Sequence, residues 1–577
     1  MRRRALLPVL ALLAPVLATP VRATPLPGPP LTIYTAAEVI TMEPALPRAT
    51  AVAVADGRIV AVGSEKALEP LREARGGTVD RRFAGKVLMP GFIDPHVHPS
   101  LPAVLTQFPF LAPDDWSLPS GEFPGARTPA AFEKRLRELV AAYDDPALPF
   151  IAWGYHPLWH GEVYRPELNA WFGETPVMLW HRSFHEVIGN DAALALLGIT
   201  EADAEGQDEA DWARGHFWEN GLKALLPKLA FLFEPSRFRA GMDNFLAMLH
   251  RGGVTTALDM GTGVFGNPRQ EIALIRSAAE GSEAPVRIIL TPIITDFLAR
   301  GKAPAEALAE IDEWRESNSR RVLIDRHFKL MLDGAIFSGL AQMGPPGYLD
   351  GHHGLWMAPL AVTTEWARVF WDAGYKLHAH TNGDASAAAF IELLRKLQAE
   401  TPRPDHRMTL EHFAYSTEDQ SRQLAALGAV VSANPYYHYL LSDLYAGPWL
   451  GPDRAAQMVR LGSLARHGVP FALHSDAPMA PLEPLRLAAA AAQRVTINGR
   501  LLAPAERVSL DRALRAITID AAWIMGWEEE IGSIRAGKRA DFTVLEADPY
   551  TVGAGDLADI DLATRDLARR LGLSARS

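Results

Sequence analysis

Eight short apolar runs, each closing on polar residues, leave this 577-residue chain few architectures. They are VLMPGFID (87–94), VTTALDM (254–260), VRIIL (286–290), HFKLML (327–332), YKLHAH (375–380), MTLEHF (408–413), AVVSAN (429–434) and VPFALHSD (469–476). Stretches rich in Ala, Leu, Arg and Glu separate them. Apolar runs of this length read as strands buried on both faces, and strands alternating with helices form parallel sheets. Eight in that order predict a (β/α)8 TIM barrel, α/β in class, with its chemistry at the C-terminal strand ends. Residues of about 100–250, between the first two runs, are then a long insertion with further strands such as TPVMLWHRSFH.

Both ends of the chain have a different rhythm. LTIYTAAEVITM and ATAVAVADGRIVAVGS alternate apolar with small or polar residues around Asp56-Gly57, a hairpin signature. IGSIRAGKRADFTVLEADP (531–549) repeats the pattern near the other end. Residues 31–86 with 531–550 are therefore expected to form one small β-sandwich, leaving 87–530 to the barrel.

Residues 1–23, MRRRALLPVLALLAPVLATPVRA, place arginines before an apolar core and small residues, the layout of a secretory signal. The Arg3-Arg4 pair loosely resembles a twin-arginine signal. Pro8 and Pro15 interrupt an apolar stretch already too short to span a membrane. An exported chain, periplasmic or secreted, is expected; losing four arginines would take its charge from -11 to -15. With no Lys/Arg-rich run beyond that start, nucleic acid is not an expected partner. There is no cysteine, so disulfides and thiolate ligands are excluded, and any metal must rest on His or carboxylate.

The polar residues at the strand ends carry the chemistry. Strand one ends in His96 and His98, strand four carries Lys329, strand five His380, strand six His412 and strand eight Asp476. In a strand, residues i and i+2 face the same side, so His96 and His98 can hold one ion. A lone His-x-His fits two solvated or core histidines better. Five ligand-type residues gathered at one barrel rim do not. By the same rule His474 shares a side with Asp476, with structural and functional roles both open. Asp384 and Glu411 are candidates to orient ligating imidazoles.

GFIDPHVHP, KLMLDGA, HAHTNGDASAAA, RMTLEHFA and LHSDAP together resemble the amidohydrolase superfamily in its YtcJ-like branch, which is similar to N-substituted formamide deformylases. The resemblance spans about 31–550 and implies the same barrel and terminal β-sandwich. It implies that His96 and His98 bind one metal and His380 and His412 a second. Lys329 looks like the strand-four lysine that takes up carbon dioxide to bridge two ions as a carbamate; a plain ammonium has no lone pair to offer. Asp476 would be both metal ligand and general base. Zinc, one or two ions, suits this donor set, and it would lower the pKa of bound water toward ~7. Asn434 departs from the family, where a Gln commonly precedes this proline.

The resemblance makes His185 a candidate substrate contact. WGYHPLWHGE (153–162), HRSFHEV (181–187), GHFWENG (215–221) and NPYYHYLLSDLYAGPW (434–449) are aromatic-rich loops. Trp153 and Tyr436, with Trp159 and Tyr437, then favour a small substrate bearing an apolar or aromatic group. The expected activity is hydrolysis of a non-peptide amide or N-formyl-type C–N bond. The same site could cleave an ester, lactone or carbamate, and a non-catalytic periplasmic ligand- or metal-binding barrel is the rival from another class. Whether the chain pairs as a homodimer is left open.

Overall fold

The computed structural model describes residues 31–563 together with Pro29; the expected signal segment 1–23 lies outside the described residues. Strands from both ends of the chain share one five-stranded sheet, in the order Phe542–Leu545, Thr78–Pro90, Thr32–Ile40, Arg48–Ala55 and Arg58–Gly63. The hairpin turn has Asp56 at φ 50 and Gly57 at φ 69, the doubly positive geometry that matches strand twist. Where a β-sandwich was expected, the covers differ. Helix Glu65–Arg75 buries Leu68 against one face, and Ile534 packs with Val39, Val52 and Leu88 on the other.

The first apolar run divides at Gly91. Val87–Pro90 ends a strand of the small sheet, and Phe92–Val97 is the first barrel strand. A Cβ at Gly91 would lie 2.1 Å from Thr255 Oγ1, so only glycine lets the chain pass between the two sheets at this point.

Seven further parallel strands follow: Val254–Thr262, Arg287–Pro292, His327–Met331, Lys376–Thr381, Thr409–His412, Val430–Ala433 and Phe471–Leu473. Ladders join the first three strands and the last five. Parallel bridges Ile293–Lys329 and Val97–Ala477 close the two remaining joints into a ring. Strand ends four and eight, which carry Lys329 and Asp476, are thus fixed against strands three and one.

The insertion builds its own five-stranded sheet, ordered Ala210–Asp211, His216–Trp218, Glu186–Gly189, Val177–His181 and Phe150–Tyr155. Phe132, Leu136, Leu168 and Val177 contribute to a separate core beneath it. Among the described residues no helix is long and apolar enough to cross a membrane.

Arg182 locks the insertion onto the barrel. It is 0% exposed; Nη2 donates to Met479 O at 2.8 Å and to Asp114 at 3.2 Å, while the guanidinium lies 4.6 Å from the Trp153 ring centre and 4.7 Å from that of Phe337. Tyr436 donates to the same Asp114 carboxylate at 2.9 Å. Removing one partner of a buried pair strands the other charge. Arg182→Met is expected to cost about 3–5 kcal/mol, read as a lower melting temperature together with faster proteolysis within residues 100–250.

Candidate metal centre at the mouth of the barrel

Nitrogen and oxygen donors from strands one, four, six and eight converge at the C-terminal mouth. His98 Nε2 is 3.1 Å from Asp476 Oδ1, and His96 Nε2 is 3.4 Å from the same oxygen. The two Nε2 atoms are 3.3 Å apart, and Lys329 Nζ lies 3.5 Å from that of His96. His412 Nδ1 is 3.6 Å from Asp476 Oδ2 and 3.3 Å from His474 Nε2. Tyr437 donates to Asp476 Oδ2 at 3.0 Å. Two triplets of ligand atoms are close enough to share an ion: His96, His98 and Asp476, and His96, His412 and His474.

Backbone conformation aims two of these side chains. His412 has φ 74, Phe413 φ 53 and Asp476 φ 56, left-handed values that cost non-glycine residues about 1–3 kcal/mol each and gather at functional sites. Asp94 anchors the junction of strands one and eight by accepting from the Ser475 amide at 3.2 Å and the His96 amide at 3.3 Å. Asn434 Nδ2 donates to Ser475 O at 3.0 Å, so the family departure has a positioning role here.

A second layer of polar groups lies below. Glu411 accepts from His96 Nδ1 and from His378 Nδ1, both at 2.7 Å, and His378 Nε2 is 2.9 Å from His327 Nδ1. With Nδ1 of His96 committed to Glu411, its Nε2 lone pair faces the centre. Ser432 Oγ holds His474 Nδ1 at 2.7 Å, which aims His474 Nε2 the same way.

Burial sets the protonation states. It drives His96 and His412 well below the usual imidazole range and takes His474 to about 4 and His380 to about 3, leaving neutral rings with free lone pairs. It lowers Lys329 to about 8 and raises Glu411 and Asp94 to about 7. Burial also works to raise Asp476, but the hydrogen bond and charge of His98 outweigh it and keep the carboxylate ionised.

His96, His98, Lys329, His412 and Asp476 thus stand together, with Glu411 behind His96. His380 is adjacent, its ring centre 4.4 Å from that of His412, but its Nε2 lies 2.9 Å from Asn382 Nδ2 and 3.4 Å from Gly334 O. Three expectations need correction. Asp384 accepts from the Gly344 amide at 2.7 Å instead of orienting an imidazole, and Asp333 is the carboxylate that secures Asn382 and Gly383. Trp153 and Tyr436 are buried in the Arg182 junction, so they support the mouth instead of gripping a substrate. The i, i+2 rule, extended from Lys329 and His380 back to His327 and His378, would have found the second layer.

A cavity of about 980 Å³ opens nearby, lined by Phe231, Phe233, Phe265, Leu298, Met357 and Lys223 among others. Glu234, Asp296 and Gly263 also line it, and two residues before Gly263 a Cβ at Gly261 would come 2.6 Å from His98 Nδ1.

Glu411→Gln removes the charge that holds His96 and His378. Loss of such support typically weakens metal binding by about 10–100-fold. That drop is expected in a chelator competition, with Asp384→Asn leaving affinity unchanged.

The sequence matches the protein family described as the amidohydrolase family over residues 84–564. It is 25% identical over 540 residues to an N-substituted formamide deformylase of Arthrobacter pascens, covering 89% of this chain and 93% of that protein. It is 24% identical over 540 residues to the putative amidohydrolase YtcJ of Bacillus subtilis, covering 88% and 93%. Protein LONG AFTER FAR-RED 3 of Arabidopsis thaliana is 24% identical over 553 residues, covering 92% and 90%. Among solved structures, an uncharacterized metal-dependent hydrolase from Pyrococcus horikoshii has the same fold at a TM-score of 0.69 and 17% identity, covering 91% of this chain and 99% of that one. With the match running from the end of the small sheet through the whole barrel, this chain belongs to the amidohydrolase family.

Proposed function

We propose that the chain is an exported, zinc-dependent hydrolase of a non-peptide amide or N-formyl-type bond in a small substrate bearing an apolar or aromatic group. The observation that carries this reading is a pair of donor triplets that share His96, one completed by His98 and Asp476 and the other by His412 and His474, with Lys329 Nζ beside His96. The residues fit a divalent cation. His412 Nε2 is buried without a hydrogen-bond partner, and neutral imidazole nitrogens crowd an ionised carboxylate. Such an ion, when bound, acidifies water and polarises a carbonyl.

The chain's own groups account for the proton. Asp476 takes one from the attacking water as the new C–O bond forms, then passes it to the leaving nitrogen as the C–N bond breaks. Tyr437, holding Oδ2, keeps the other oxygen turned toward the two histidines of strand one. Burial lowers Lys329 to about 8, which leaves part of it as free amine near neutral pH. That amine can add carbon dioxide and release a proton, becoming a carbamate able to bridge two ions. The cavity lined by Phe231, Phe233 and Phe265 supports an apolar substituent on the substrate, and residues 1–23 support export.

Elemental analysis of zinc-replete chain and of Lys329→Ala tests this reading. Wild type is expected to retain zinc, with a lower content in the variant and hydrolysis abolished by a chelator and restored by zinc. A chain that keeps no metal overturns the reading. Cleavage of esters or lactones without amides on a substrate panel would move the assignment to those bonds.

A further inference from the structure

His185 and Glu219 form a dyad in the insertion, outside the groups used above. His185 Nδ1 is 3.0 Å from both carboxylate oxygens of Glu219, and the Glu219 amide donates back to His185 O at 3.0 Å. Ser183 Oγ accepts from the His185 amide at 3.0 Å. Glu219 is 4% exposed, and among the described residues its carboxylate has no other hydrogen-bond partner. Its backbone stands at φ 45 and ψ -111, the kind of strain that persists where surrounding structure enforces it. The His185 side chain is 31% exposed, and its Nε2 makes no hydrogen bond among the described residues.

The segment that carries His185 is tied to the barrel mouth at both ends. Arg182, three residues before His185, donates to Met479 O, three residues beyond Asp476 on the loop after strand eight. Glu186, the next residue, accepts from Ser338 Oγ on the loop after strand four. Segment 182–186 therefore spans the mouth from the Asp476 side to the Lys329 side.

We propose that Glu219 is a positioning residue that holds His185 as an Nε2–H donor to the acyl oxygen of the bound substrate. This rests on the hydrolase reading. Negative charge grows on that oxygen as water adds, and a donor fixed in advance stabilises it without reorganisation. The charged and titratable groups around the ring are Glu219, Glu186 and Lys223, with His181 and His380 beyond. Burial opposes protonation of His185, but the charge and hydrogen bond of Glu219 outweigh it and raise its pKa above the ordinary value. Donation from Nε2 while Nδ1 is engaged requires the imidazolium, so activity declines as pH rises through this titration.

The test uses zinc-loaded full-length chain with 13C-labelled histidine, His185→Gln serving to assign the resonance, and 4-nitroacetanilide as probe. Glu219→Gln is expected to keep its zinc and melting temperature. It should move the His185 titration midpoint and the alkaline limb of kcat/KM to lower pH together. His185→Gln should lower kcat by about 100-fold, in line with loss of one such donor. The double variant should be no slower than His185→Gln, because Glu219 acts only through that ring. An unmoved midpoint in Glu219→Gln, or a double variant slowed further, overturns the proposal. No hydrolysis by zinc-loaded wild type overturns the hydrolase reading and the acyl-oxygen contact together, while the titration still decides whether Glu219 sets the state of His185.

Discussion

Glu411 is the carboxylate on which the centre depends. Its side chain is fully shielded from water, a placement costing several kcal/mol unless donors surround it. His96 and His378 supply them from strands one and five, and His378 is in turn backed by His327 from strand four. One charge thereby sets the rotation of imidazoles on separate strands, and the barrel's parallel register makes their meeting possible. The arrangement also biases the mouth toward positive charge. Glu411 and Asp476 stand close to Lys329, and a cation among neutral imidazoles completes the compensation.

The insertion is joined to this mouth by comparably costly chemistry. Arg182 surrenders its hydration to reach Asp114 and Met479 O, and Trp153 and Phe337 stack against its faces. Such a contact fixes geometry more than it adds stability, since a well-packed apolar replacement of the whole pair would do as well energetically. Exact placement matters here, because His185 is three residues away.

Much of this was legible in the sequence. The eight apolar runs correspond to the eight barrel strands because strands buried on both faces have little freedom in composition. Only the first run misled, since the apolar pattern continues through Gly91 while the chain changes sheets. The rim residues were legible because strand periodicity is rigid. Applying that periodicity as far as Lys329 and His380, and leaving His474 open, hid His327, His378 and the part His474 plays beside His412. Aromatic side chains were the least readable. Trp153 and Tyr436 look alike in sequence whether they line a cavity or pack beneath an arginine, and the deciding partners, Asp114 and Arg182, are distant along the chain. Glu219 carries no local signal either, its partner lying 34 residues away in a different strand connection.

The small sheet bears on how the molecule is made. Val87–Pro90 runs straight into the strand that carries His96 and His98, and its other edge pairs with Phe542–Leu545. A ribosome releases this chain from one end, so the strand bearing the first two histidines emerges long before the segment that completes its sheet. Until residues 542–545 are available, that edge presents unpaired amides and carbonyls, an open template for a wrong strand. Completion of this sheet beside the barrel mouth is thereby tied to the synthesis of residues 542–545, and a chain interrupted before them is marked by the exposed edge it cannot cover.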